Sequence, residues 1–90
     1  GADHGWGSHH LMVGGAVKGA AFYGTPPPVS VGSTAAPEDQ WHVGQGRLLP
    51  STAVDEYAAT LATWFGVADS DLARVVPNIG NFATRNLGFV

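Results

Sequence analysis

Four of the first ten residues could hold a metal ion: Asp3, His4, His9 and His10, in the run GADHGWGSHH. Carboxylate and imidazole are good ligands for zinc and similar divalent ions. Asp3 and His4 are adjacent, and Gly1, Gly5 and Gly7 around them let the backbone bend, so that both side chains can face one ion. The same residues also suit a plain polar loop whose histidines bond locally or reach solvent. Other arrangements offer less. The chain has no cysteine and therefore no thiol nucleophile. Ser8, Ser30, Ser33, Ser51 and Ser70 lie in no nucleophile-elbow pattern. Asp55 and Glu56 read as a charge pair at a helix terminus, and Trp6, Trp41 and Trp64 as packing residues.

The elements that would position this loop are short. Residues 11–18, LMVGGAVK, are apolar and read as a strand, with Gly14-Gly15 marking a bulge or a close backbone approach. Residues 19–24 read as a second extended piece, and Arg47 to Leu49 as another short strand closed by Pro50. Between them, residues 25–40 read as an exposed Pro-rich loop without regular structure, because Pro26-Pro27-Pro28 lack backbone donors and favour an extended left-handed path.

The clearest signal is a helix from about Ala53 to Phe65. Apolar residues recur at helical spacing at Val54, Tyr57, Ala58, Leu61, Ala62 and Phe65. Ser51 and Thr52 are candidate N-caps, Thr52 and Asp55 have capping-box spacing, and Gly66 suits the C-terminal end. The pattern buries Tyr57, Leu61 and Phe65. A second short helix over 69–76 starts at Asp69 or Ser70, turns Leu72, Val75 and Val76 inward, and stops at Pro77. Residues 77–90 read as loop anchored by Ile79, Phe82, Leu87 and Phe89.

Bulk properties narrow the function further. With 90 residues and no disulfide, stability must come from a metal, a partner or further polypeptide. Charged residues are 12% of the chain, about half the usual share, so part of the surface is expected to be covered. The net charge is −3, and Lys18, Arg47, Arg74 and Arg85 are scattered, which argues against a nucleic-acid partner. No apolar run approaches the ~20 residues of a membrane span. Residues 1–4 are neither basic nor followed by an apolar core, so an export signal would lie upstream of Gly1.

Three runs in order then carry a family resemblance: Asp3-His4-Gly5-Trp6-Gly7, Gly14-Gly15-Ala16-Val17-Lys18-Gly19, and Tyr23-Gly24. Pro50-Ser51-Thr52, Tyr57-Ala58, Trp64-Phe65-Gly66-Val67, Pro77-Asn78 and Asn81-Phe82 extend it to the end of the chain. Together they resemble the C-terminal part of the secreted bacterial family called domain of unknown function 1501, whose members are similar to the alkaline phosphatases and sulfatases.

The resemblance implies an α/β fold. Residues 1–90 would be a single C-terminal segment, its short strands and two short helices covering a sheet built mostly by residues outside it. It implies a periplasmic or extracellular, metal-dependent hydrolase of phosphate or sulfate esters, incomplete without the N-terminal remainder of the same protein. Asp3 and His4 would ligate one ion, zinc or similar, of a two-metal site, and His9 or His10 would be the candidate histidine for the other. Other chains or segments would be packed against these residues. The alternative is a non-enzymatic secreted binding or assembly protein of the same fold, with the loop histidines merely polar.

Overall fold

The structure is a computed structural model and describes residues 9–29, 32, 34–44 and 47–90. The chain divides into two compact units, Gly1–His10 with Thr25–Ser51, and Leu11–Gly24 with Thr52–Val90.

The second unit is built on helix α1, Val54–Phe65. Its N-cap is Ala53, one residue beyond the expected Ser51 or Thr52. Alanine has no side-chain acceptor, so half of the usual reciprocal cap is made: the Glu56 carboxylate accepts the Ala53 N–H at 2.8 Å. Ser51 is engaged elsewhere, its hydroxyl donating to the Thr25 carbonyl in the first unit. At the C-terminal end Gly66 adopts φ 112°, a left-handed conformation that glycine enters without a Cβ penalty. The Gly66 N–H then reaches the Thr63 carbonyl (3.1 Å) and the Val67 N–H the Ala62 carbonyl (2.9 Å). These two bonds close the helix in a Schellman arrangement.

After α1 the chain takes a 3-10 turn, Asp69–Asp71, that runs into the short helix α2, Leu72–Val75. Neither Asp69 nor Ser70 caps it; the preceding Ala68 stands in that position without a side-chain bond. A further 3-10 turn, Ile79–Asn81, follows Pro77. Helix α1 packs against α2 and against this turn. The core between them is Ala59, Leu72, Val76 and Ile79, flanked by Ala58, Ala62 and Val67. Leu72 and Val76 point inward as expected, whereas Val75 is exposed.

The buried face of α1 differs from the expected one. Ala59 and Thr60 are fully buried, Tyr57 and Leu61 are half-buried, and Phe65 is 84% exposed. At about 100° per residue, Tyr57, Leu61 and Phe65 lie roughly opposite Ala59. The short α2 and the 79–81 turn sit against the alanine side, where small residues allow close approach. The bulkier apolar side is left with partial cover.

That cover comes from the C-terminal residues and from the 11–24 segment. Phe89 is buried, with its ring 5.7 Å from that of Tyr57 and 5.9 Å from that of Tyr23. The Tyr57 hydroxyl donates to Met12 Sδ at 3.2 Å. The Lys18 N–H donates to the Phe89 carbonyl at 2.8 Å. The buried Thr60 hydroxyl donates to the Glu56 carbonyl (2.8 Å) and accepts the Leu87 N–H (2.9 Å), fastening the last residues to α1.

The α/β expectation is overturned: the described residues contain no strand, only short helices, turns and irregular chain. The 11–18 run is interrupted where Gly14-Gly15 allow a turn, with the Val17 N–H bonded to the Gly14 carbonyl at 3.1 Å. A turn there replaces the expected bulge and denies the run a continuous edge. In the first unit the expected 47–49 strand is reduced to an isolated antiparallel bridge, His42 to Leu48. The bonds Val43 N–H to Arg47 O (2.9 Å) and Leu49 N–H to Trp41 O (2.8 Å) flank it. Pro50 has no donor to carry the pairing on.

Within 25–40 the chain is irregular from Thr25 to Val29, and Pro26, Pro28 and Val29 are exposed. Its end is ordered: Pro37–Trp41 form a 3-10 helix, against the expectation of irregular chain throughout. Proline at the first position fits there because that N–H would have no intrahelical partner.

Candidate functional site

Asp3 and His4, the two residues on which the metal expectation chiefly rests, lie outside the described residues, as does Trp6. His9 and His10 are described; both belong to the first unit and both are exposed. Among the described residues no three histidine, aspartate or glutamate side chains gather into a group able to hold a metal ion.

The other polar residues singled out in the sequence have structural occupations. Glu56 is the acceptor at the start of α1, and Asp55 lies beside it in the first turn, where the helix dipole favours a negative charge. Asp39 organises the first unit. Its carboxylate accepts both the Thr34 N–H (3.0 Å) and the Thr34 hydroxyl, and Gly32 passes so close that a Cβ there would meet the carboxylate at 2.5 Å. Gln40 Nε2 donates to the Thr34 carbonyl (3.2 Å) and the Ala36 carbonyl (3.3 Å). Arg47 Nε donates to the Gly44 carbonyl at 3.1 Å. Two ion pairs, Arg74–Asp71 and Arg85–Asp69, are exposed and add little to stability.

One surface feature is not evident from residue types alone. A shallow apolar cavity of about 120 Å³ lies in the second unit, lined by the 12–17 segment, Trp64 and Val90. Trp64, read from the sequence as a packing residue, is more than half exposed there, its ring 6.4 Å from that of Phe65. A signal was present in the sequence: Trp64-Phe65 places two large rings side by side at a helix end, and one narrow buried face cannot take both.

Comparison with protein-family models, with curated proteins and with solved structures gives no match for this chain. No helix among the described residues is long and apolar enough to cross a membrane.

Proposed function

We propose that this chain is the C-terminal segment of an exported, metal-dependent hydrolase of phosphate or sulfate esters, and that the N-terminal remainder of the same polypeptide packs on it. The observation that carries the packing half is the amount of large apolar side chain left in solvent. In the second unit Leu11 is 93% exposed, Val13 96% and Val54 75%, and Phe22 is fully exposed, besides Phe65. Isolated exposed apolar residues are ordinary. Here, with Trp64 and Val75, they outnumber the buried apolar residues of the same unit, which are Ala59, Leu72, Val76, Ile79 and Phe89. A unit that leaves this many large apolar side chains in solvent around so small a core is suited to being covered. The low charge fraction agrees.

The hydrolase half rests on the residues of the resemblance and on the donor set. Asp3 and His4 would hold one divalent ion, and His9 or His10 is the candidate histidine for a second. Such ions supply charge stabilisation to the attacking and leaving oxygens of an ester displacement. The nucleophile and further carboxylates would belong to the N-terminal remainder.

The test uses the longer protein. Elemental analysis of the purified polypeptide is expected to find one or two divalent ions per chain. His4→Ala is expected to lower metal content and phosphate- or sulfate-esterase activity together. Unchanged metal content in that variant would return Asp3 and His4 to a plain polar loop and favour a non-enzymatic binding or assembly protein.

A further inference from the structure

We draw no further inference here: the strongest candidate, the shallow apolar cavity lined by Met12, Val13, Val17, Trp64 and Val90 in the second unit, belongs to the apolar surface already proposed to be covered, and nothing in the structure shows what fills it.

Discussion

Between Thr52 and Val90 a helix of 12 residues satisfies its own backbone, whereas between Thr25 and Ser51 much of that work falls to side chains. In the helical stretch, local bonds hold α1 and a small apolar core holds α2 and the 79–81 turn against it. In the other stretch, Asp39, Thr34, Gln40 and Arg47 bond to nearby backbone, and a 3-10 helix of 5 residues is the longest regular piece among the described residues. Helix bonds close within four residues, so the necessary information is local. Strand bonds need a second strand, and one bridge is all that 41–49 supplies for itself.

The largest effect is expected at the helical core. Leu72 is almost fully buried among Ala59, Val76 and Ile79. Leu72→Ala should cost about 2–4 kcal/mol, the range for emptying a packed leucine site. Leu61→Ala, on the partly covered side of α1, should cost clearly less. Urea titrations followed by far-ultraviolet circular dichroism would read both. Equal costs would mean that α1 is packed alike on both sides, against the distribution of burial described above.

A smaller effect is expected at Thr60. Its hydroxyl accepts the Leu87 N–H and donates within α1, at a residue with no exposed surface. Thr60→Val keeps the shape and removes the acceptor, leaving the Leu87 amide without that bond. The expected cost is about 1–2 kcal/mol, with faster amide exchange at Leu87. An unchanged exchange rate there would show that the C-terminal residues are held by the Phe89 ring contacts and the Lys18 bond alone.

In the other stretch the matching change is Asp39→Ala. It deletes the carboxylate that accepts both Thr34 donors. A local cost of about 1 kcal/mol is expected, seen as faster exchange of the Thr34 amide. Helical ellipticity should stay near wild type, because the element that depends on Asp39 is a single 3-10 helix of 5 residues. A large loss of ellipticity would erase the contrast between the two stretches.

Elements held by local bonds were legible in the sequence. The span of α1 was legible to within a residue at its start, and the Gly66 termination, the stop at Pro77 and the anchors Ile79 and Phe89 were also legible. Features that depend on what a segment packs against were not. The spacing of Tyr57, Leu61 and Phe65 marks an apolar face correctly, but periodicity does not say which of two apolar sides the neighbouring elements will choose. Here α2 chose Ala58, Ala59 and Ala62. The apolar run 11–18 satisfies strand composition, yet Gly14-Gly15 turn it before an edge can form. The capping residue was misplaced because Glu56 reaches back to Ala53, a partner that Thr52-Asp55 spacing hides. As for the metal residues, their types were legible and their arrangement was not. His9 and His10 are neighbours in the chain on an exposed stretch, and Asp3 and His4 lie outside the described residues.

The smallest expected effect is that of Ala20→Gly, in the irregular part of the helical unit. The Ala20 φ of 57° is left-handed, the one such value at a residue other than glycine among those described. For an L-residue that conformation brings Cβ near the following carbonyl and costs roughly 1–2 kcal/mol. Ala20→Gly removes the clash but also loosens the unfolded chain, which returns about 0.4–1 kcal/mol of the gain. The net expectation is therefore a stabilisation of about 0.5 kcal/mol, a small rise in Tm. Ala20→Val should move the other way by about 1 kcal/mol or more, because a β-branched residue is poorly tolerated at positive φ. The pair is more informative than either change alone. Ala20 is exposed, so neither substitution disturbs the core, and their opposite signs isolate the backbone term. If glycine and valine shift the melting curve in the same direction, Ala20 does not hold the left-handed conformation in solution. The 11–24 segment would then follow a different path over the half-covered side of α1.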